Sequence, residues 1–242
     1  MDNQQLCNLN NDQLQVLLTS KLGDGCIYKG NSNKHFAYIT NNKHREYLEF
    51  KKSLLGNLAN SINYVEHNGY SQTSIYTLRT KPCPEIDIVN SWSLEKSLNY
   101  LDELGLALWL YDDGSLHKEK YFYNINTQKY SYDVNKNILE PFLKNKFGII
   151  AKTTIENKKD GREFYYLRVG RHDGSFIISK ILSKYPIDCY KYKLWSSETI
   201  QRWSKLQVEL KSRGIVISKR HFSLLLEKVT EDRTIQDIVR SL

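Results

Sequence analysis

The chain has 242 residues, of which 40% are hydrophobic and 26% are charged, a composition typical of a globular protein with a core of its own. No stretch is apolar for long enough to span a membrane, and the first residues lack the basic-then-apolar order of a signal peptide. The net charge of +8 favours an anionic partner, and nucleic acid is the commonest one.

The first predicted element is a helix over residues 14–22, which ends in the triplet Gly23-Asp24-Gly25. Three leucines fall on one face of this helix, and Asp12 is its predicted N-cap. After the triplet, the sequence predicts a hairpin (26–40), an amphipathic helix (43–60) and two strands (61–68 and 72–80).

A second predicted helix, over residues 101–111, ends in Asp112-Asp113-Gly114, and the same order of elements follows it. This second series consists of a hairpin (115–127), a helix (133–147), two strands (149–157 and 162–170) and a further helix (175–184). Asp24 and Asp113 are 89 positions apart, so an internal duplication is the simplest account of the pattern. Such a duplication predicts pseudo-two-fold symmetry, which duplex DNA also has.

The predicted organisation is an N-terminal half (1–95), a C-terminal half (96–195) and a helical C-terminal extension (196–242). In the extension, two apolar groups are spaced for one helix face each: Trp203, Leu206 and Leu210, then Phe222, Leu225, Leu226 and Val229. We expect the extension to pack against the rest of the chain rather than to form a helix-turn-helix.

The two Asp-Gly pairs fall where an aspartate is electrostatically disfavoured, at the negative end of a helix dipole. Helix capping alone therefore does not explain Asp24 and Asp113. If the two helices pack side by side, the carboxylates come close and repel one another unless a cation lies between them. Oxygen ligands of this kind suit Mg²⁺, and the combination is typical of metal-dependent phosphodiester hydrolysis.

The same segments resemble a known family. LLTSKLGDG at residues 17–25 and LALWLYDDG at residues 106–114 resemble the two motifs of the LAGLIDADG homing endonucleases, and NTQKYS at residues 126–131 resembles a turn of that family. The resemblance covers residues 12–195. It implies an α+β fold with two pseudo-symmetric αββαββα halves, central motif helices and a saddle of antiparallel sheets that binds DNA.

The resemblance also implies roles for individual residues. Asp24 and Asp113 occupy the positions of the catalytic acids, and one lysine from each half, Lys96 and Lys193, would act on the scissile phosphates. The predicted ligands of Mg²⁺, for which Mn²⁺ can substitute, are Asp24, Asp113, Gly23 and Asp112. The second motif has Leu108 and Asp112 where the family usually has small residues.

Alternation along the predicted strands separates side chains that face the core from those that face DNA. It assigns Ile149, Ala151, Thr153 and Ile155 to the core, together with Tyr165, Leu167 and Val169. The predicted DNA contacts are Lys29, Asn31, Lys34, His35, Gln72, Tyr76, Arg79, Lys152, Thr154, Lys158, Lys159, Arg162, Tyr166 and Arg168. Side chains of these types read base edges or neutralise phosphates.

These observations predict a monomeric, site-specific double-strand DNA endonuclease that reads a long, imperfectly symmetric target. One alternative is an RNA maturase that binds intron RNA on the same scaffold, and another is a transcription regulator on a degenerate scaffold. The four cysteines form no CxxC pair and fit reduced thiols. We therefore expect an intracellular protein, from a bacterial or phage-infected cytoplasm or from an organelle.

Overall fold

The computed structural model describes residues 8–31, 33–66, 74–117, 122–157, 161, 163–170, 174–215, 225, 228–229 and 234–240. The chain divides into two compact units. Unit 1 consists of Met1–Asp113 and Tyr185–Lys191, and unit 2 consists of Gly114–Lys184 and Tyr192–Leu242. Within the described residues, no helix combines the length and the apolar character needed to cross a membrane.

Unit 1 contains one antiparallel sheet and a set of helices. Its elements are α1 (Asn11–Leu22), β1 (Cys26–Tyr28), β2 (Ala37–Asn42), α2 (Arg45–Leu55), β3 (Asn63–Val65), β4 (Ile75–Arg79), α3 (Pro84–Ser91), α4 (Leu94–Tyr100) and α5 (Glu103–Asp113). The strand order in the sheet is β1-β2-β4-β3, and all three pairings are antiparallel.

Unit 2 repeats this plan. Its elements are β5 (Gly114–His117), β6 (Phe122–Asn126), α6 (Tyr132–Val134), a π-helical turn (Asn135–Leu139), α7 (Glu140–Phe147), β7 (Ala151–Asn157), β8 (Glu163–Val169), α8 (Gly174–Leu182), α9 (Ser197–Ser212) and α10 (Ile235–Arg240). The strand order is β5-β6-β8-β7, the exact counterpart of the order in the first sheet. The predicted α+β class and the predicted duplication are therefore confirmed.

Asn10, and not the predicted Asp12, is the N-cap of helix α1. The Asn10 side chain accepts a hydrogen bond from the Gln13 backbone N–H at 2.9 Å, and the Gln13 side chain accepts one from the Asn10 N–H at 3.0 Å. This reciprocal capping box satisfies two N–H groups that have no partner within the helix. Asp12 lies in the first helical turn, where its charge favours the positive end of the dipole.

Helices α1 and α5 pack against each other within unit 1 and run parallel. Near their N-terminal ends, the Asn11 amide donates to Asp102 Oδ2 at 2.7 Å. Near their C-terminal ends, the Asp24 backbone N–H donates to Asp112 Oδ2 at 3.2 Å. The predicted packing of the two motif helices is thus confirmed, and both Asp-Gly pairs lie at the same end of the helix pair.

Several predicted boundaries shift. The helix predicted over 43–60 ends at Leu55, because Gly56 takes up a positive φ of 53°. The second motif helix starts at Glu103 because the Asp102 carboxylate accepts from the N–H groups of Leu104 and Gly105. Helices α3 and α4 were not predicted. The proposed boundary between the sequence halves, at residues 95 and 96, falls inside α4 and within unit 1, and it stays a prediction about the repeat.

The C-terminal extension is part of unit 2 and packs against α8, as expected. Trp203, Leu206 and Leu210 of α9 are buried in one cluster with Leu225, Val229, Ile238 and Val239. The ring of Phe176 on α8 stacks with those of Trp203 and Trp195, at centroid distances of 5.1 Å and 5.5 Å. Phe222 and Leu226 lie outside the described residues.

Candidate active site

The two acids selected from the sequence follow the paired helices of unit 1. Asp24 lies just beyond the end of α1 and is exposed, whereas Asp113 is the last residue of α5 and is partly buried. Because α1 and α5 run parallel, both acids lie at one end of the pair. This placement is the one that a shared cation would require.

The two glycines beside Asp24 allow other side chains to lie close to the backbone of this turn. A Cβ at Gly23 would overlap the carboxylate of Asp112, and a Cβ at Gly25 would overlap the ring of Tyr38. The backbone of Gly23 is extended, with φ −103° and ψ −152°, so it does not need the left-handed conformation of a common helix end. The glycine is required at this position because no side chain fits.

Asp112 lies directly before the second acid, and its carboxylate is fully buried in an ion pair with Lys51. Lys51 Nζ lies 2.9 Å from Oδ1 and 3.0 Å from Oδ2. The Tyr47 hydroxyl donates to Oδ1 at 2.7 Å, and the Asp24 backbone N–H donates to Oδ2 at 3.2 Å. Four hydrogen bonds from unit 1 therefore hold this carboxylate.

The charges in this cluster are balanced. Burial by itself would lower the pKa of Lys51, but the charge of Asp112, with a smaller effect of Asp24, raises that pKa above its usual value. Burial and the Asp112 charge raise the pKa of Tyr47, so its hydroxyl keeps its proton and donates to Asp112. The Lys51 charge thus balances that of Asp112.

The open face of the second sheet carries polar side chains in register. Asn124, Arg168 and Lys152 are cross-strand partners on β6, β8 and β7. The Arg168 guanidinium donates to Asn124 Oδ1 at 3.3 Å and to the Tyr166 hydroxyl at 2.7 Å, and it lies 4.3 Å from the centre of the Phe122 ring. Its planar group is therefore held in place before any ligand binds.

The register of this sheet agrees with the predicted faces of β7 and β8. Lys152 and Thr154 share the open face, and Thr154 is the partner of Tyr166. Ile155 lies on the predicted core face with Ala151 and Thr153, but it is 46% exposed and its partner Tyr165 is only half-buried. Four predicted DNA contacts lie outside the described residues: Gln72, Lys158, Lys159 and Arg162.

In the first sheet, Tyr76 and Arg79 lie on opposite faces of β4. Tyr76 shares a face with Leu78, whose partner Thr40 is buried, whereas Arg79 pairs with Ile39 on the other face and is exposed. Because three positions along a strand reverse the side, the two side chains do not share one sheet face, and their contacts with DNA stay predictions. Tyr76 contacts the ring of Tyr64 instead, at a centroid distance of 5.3 Å.

The connection between β1 and β2 contains the remaining predicted contacts. Its exposed side chains include Lys29, Asn31 and Lys34. His35 is partly buried, with Nδ1 2.8 Å from Asp87 Oδ2, and the backbone N–H of Phe36 donates to Asp87 Oδ1 at 2.7 Å. Burial would raise the pKa of Asp87, but the hydrogen bonds from Phe36 and His35 lower it below its usual value. Asp87 of α3 thus fixes the end of this connection.

The profile of the LAGLIDADG DNA endonuclease family matches residues 14–177, which is more than half of the chain. The chain belongs to this family.

Over 98 residues it is 36% identical to the probable intron-encoded DNA endonuclease 3 of Mycosarcoma maydis, a match that covers 40% of this chain and 66% of the relative. Over 224 residues it is 27% identical to the cytochrome b mRNA maturase bI2 of Saccharomyces cerevisiae, covering 79% of this chain and 49% of the relative. The chain therefore spans less than two thirds of either relative.

Solved structures agree with the family assignment at the level of the fold. The homing endonuclease I-WcaI bound to its DNA recognition sequence has a TM-score of 0.65 and 22% sequence identity, covering 77% of this chain and 87% of that chain. A variant of I-DmoI in complex with its nicked target DNA and Mn has a TM-score of 0.50 and 16% identity, covering 72% of this chain and 96% of that chain.

The geometry limits how one predicted metal ligand could act. The buried carboxylate of Asp112 is held by Lys51, Tyr47 and the Asp24 backbone, so the metal role of Asp112 stays a prediction that its side chain does not support. In the part of the chain that the structure describes, no group of three or more His, Cys, Asp or Glu side chains could hold a metal ion. The two acids nevertheless fit Mg²⁺, which takes one or two carboxylates and completes its shell with water and phosphate oxygens.

The two predicted catalytic lysines differ in their surroundings. The Lys96 ammonium lies over the Trp92 ring, 4.6 Å from its centre, and the Lys96 backbone N–H donates to the Ser93 hydroxyl that caps α4. Lys193 ends a 3-10 helix and is only 6% exposed. A lysine is rarely so buried. Their role at the scissile phosphates stays a prediction.

The sequence patterns did not predict that Lys51 and Tyr47 belong to this site. Lys51 is the more instructive of the two. It lies on the buried face of α2, four positions from Tyr47 and four from Leu55. A lysine at helical spacing within an apolar stripe was the available signal, because a lysine there needs a buried carboxylate partner.

Proposed function

We propose that this chain is a site-specific double-strand DNA endonuclease that hydrolyses phosphodiester bonds with Mg²⁺. One observation carries the proposal: Asp24 and Asp113 lie at the same end of two parallel helices, beside an Asp112 whose charge Lys51 balances. The family to which the chain belongs, and the relative described as a probable intron-encoded DNA endonuclease, support the same activity.

In this mechanism, Asp24 and Asp113 would hold Mg²⁺, with the Gly23 carbonyl as a further oxygen ligand. When bound, Mg²⁺ supplies a Lewis acid that lowers the pKa of water and stabilises negative charge on the phosphate. The chain's own contribution is to hold the two carboxylates in place. Lys96 and Lys193 would offer positive charge to the phosphate oxygens on which charge develops.

The open sheet faces would bind the duplex. Arg168 is preorganised by its bonds to Asn124 and Tyr166, which suits bidentate recognition of a base edge in the major groove. Lys152 beside it, and the exposed lysines between β1 and β2, suit phosphate contacts that position the duplex without reading its sequence.

Cleavage of a duplex library with randomised target sites tests this function directly. With Mg²⁺, we expect discrete double-strand breaks at a long, imperfectly symmetric site, and none with EDTA. Asp24→Asn and Asp113→Asn should each reduce the cutting rate by on the order of 10³-fold while leaving duplex affinity similar. Asp133→Asn, which changes an exposed carboxylate of α6, is the matched control and should cut normally.

The second candidate function is that of an RNA maturase. The observation that favours it is the 27% identity over 79% of this chain to a cytochrome b mRNA maturase. In that case the chain would bind structured intron RNA more tightly than any duplex of the library. Undetectable cutting with Mg²⁺ or Mn²⁺, combined with tight RNA binding that neither aspartate variant changes, would contradict the endonuclease proposal.

A further inference from the structure

The buried pair of Lys51 and Asp112 takes no part in the proposed chemistry, although it lies directly beside Asp24. A buried ion pair is a poor way to stabilise a fold, because removing two charges from water offsets most of their attraction. Apolar side chains of similar volume often stabilise a protein equally well. The pair accepts a hydrogen bond from a backbone N–H group, which an apolar pair could not do.

That N–H group belongs to Asp24. At the end of α1, the Gly23 N–H still bonds to the Thr19 carbonyl at 2.7 Å, as the last bond of the helix. The next N–H, that of Asp24, leaves the helix and donates to Asp112 Oδ2 at 3.2 Å. Its acceptor is a carboxylate, and hydrogen bonds to charged acceptors are stronger than neutral ones.

The turn is confined from two sides. Asp112 lies so close to Gly23 that no Cβ fits between them, and the buried Tyr38 ring does the same at Gly25. Asp112 is itself fixed by both contacts from Lys51 and by the Tyr47 hydroxyl. Displacing the turn would therefore break contacts in the core of unit 1.

We propose that Lys51 and Asp112, supported by Tyr47, form a positioning device that fixes the backbone of Asp24, from which its carboxylate reaches the metal. The Asp112 carboxylate then positions Asp24 and does not itself bind the metal. The proposal rests on the endonuclease function proposed above. It also explains why an aspartate stands where the family usually has a small residue, opposite a glycine that leaves room for it.

The test is the double variant Lys51→Met/Asp112→Leu, which removes both charges and keeps similar volumes. We expect its melting temperature to stay near that of the wild type, since an apolar pair can replace a buried ion pair. Residue-resolved hydrogen exchange should nevertheless show faster exchange of the Asp24 amide. Single-turnover cutting at saturating Mg²⁺ should fall by on the order of 10²-fold, with duplex Kd unchanged, because small misplacements of reacting groups cost that much.

Two further variants make the result specific. Lys52→Met removes the neighbouring positive charge of α2 and should leave exchange and cutting unchanged. Tyr47→Phe removes one of the hydrogen bonds to Asp112 and should give smaller increases in Asp24 amide exchange and smaller losses of cutting rate. This variant tests the proposal even if the double variant does not fold. A folded double variant that keeps both Asp24 amide protection and the wild-type cutting rate would overturn the proposal.

The exchange measurement separates this proposal from the endonuclease function. If the wild type cuts no duplex but the Asp24 amide loses protection in both variants, the positioning device stands and the proposed function fails. If the wild type cuts and the Asp24 amide is indifferent to Lys51, Asp112 and Tyr47, the device fails and the endonuclease function stands.

Discussion

Gly105 shows how a single hydrogen atom permits the packing of α1 on α5. A Cβ at this position would overlap the side-chain oxygen of Gln15, a residue with no exposed surface. That oxygen accepts the Asp102 backbone N–H at 2.9 Å, and the Gln15 amide donates to the Tyr100 carbonyl at 3.1 Å. Gln15 therefore cannot move aside without losing two hydrogen bonds.

We predict that Gly105→Ala destabilises the protein by about 1–3 kcal/mol, the usual cost of overpacking. The sign is informative, because alanine inside a helix normally stabilises by about 1 kcal/mol relative to glycine. Gly170→Ala is the control, since no atom lies within 4 Å of its Cβ position, and it should change stability by less than about 0.5 kcal/mol. Urea unfolding of both variants measures the difference, and equal effects would contradict this account.

At the same scale, the sequence identified the acids but not their support. Asp24 and Asp113 could be selected because each follows an apolar helix and precedes a glycine. The partnership of Lys51 with Asp112 joins residues 61 positions apart, and no local pattern specifies such a contact. For the same reason, the sequence alone does not distinguish a carboxylate held by a buried lysine, as in Asp112, from one that reaches solvent.

At the scale of elements, helix α9 contributes the buried side chains by which the C-terminal extension stabilises unit 2. Its Trp203 is 1% exposed and stacks on Phe176, whereas Val208 on the same helix is 70% exposed. We predict that Trp203→Ala lowers the free energy of unfolding by about 3–5 kcal/mol, the usual cost of emptying a large buried site. Val208→Ala should change it by less than about 0.5 kcal/mol. Similar melting temperatures for the two variants would show that the extension adds no stability.

A carboxylate connects the helical stretch of unit 2 to strand β7. Glu140 Oε1 accepts both the backbone N–H and the hydroxyl of Thr153 at 2.7 Å, and Oε2 accepts from Lys136 at 3.0 Å. Burial would raise the pKa of Glu140, but these bonds lower it below the ordinary value of 4.5. Because the pKa of Glu140 is lower in the folded protein, its charged form stabilises the fold at pH values above 4.5. This stability is lost as the pH falls through the folded pKa.

We therefore predict that Glu140→Gln costs about 1–2 kcal/mol at neutral pH, the range for hydrogen bonds to a charged group after allowance for partial exposure. The difference from the wild type should shrink as pH falls below 4.5, because the wild-type carboxyl then takes up its proton. Urea unfolding between pH 7 and pH 3 measures this difference in stability. For Glu66→Gln, at an exposed position, the difference from the wild type should not depend on pH. If the difference for Glu140→Gln were also constant across this range, the stabilising role of the charged Glu140 would be refuted.

Element types were more predictable than element ends. The alternation of apolar residues indicated the strands of both sheets, and helical spacing indicated α1, α2, α5 and α9. The ends depend on contacts that periodicity does not contain, such as the Asn10–Gln13 capping box and the Asp102 cap of α5. Helices α3 and α4 are short, and their apolar spacing is too brief to stand out from the surrounding chain.

At the scale of the whole molecule, the sequence shows the duplication but not which compact unit each repeated helix joins. Two Asp-Gly pairs 89 positions apart predicted the repeated strand order, which both sheets have. A division by repeats would nevertheless assign the second motif helix to the second half. Its contacts with α1 make it part of unit 1 instead, because a buried helix belongs to the core that it fills.

The net charge of +8 gives a prediction for binding to DNA. Each phosphate that a lysine neutralises releases counterions, so the affinity falls as salt rises, with a slope of about −0.9 per contact in a plot of log K against log salt. Lys152→Ala should reduce this slope by about 1, because Lys152 lies on the open sheet face beside Arg168. Lys211→Ala removes the same charge from the exposed end of α9 and should leave the slope unchanged.

Duplex affinities measured in EDTA between about 50 and 200 mM salt distinguish a local contact from a general field, because surface charges farther apart than about 10 Å are largely screened in this range. If Lys152→Ala alone lowers the slope, the open face of the second sheet is the surface on which the duplex lies. If Lys152→Ala and Lys211→Ala change the slope equally, the net charge alone attracts the duplex. The assignment of the sheet face to DNA would then be wrong, although the acids at the ends of α1 and α5 could still cut.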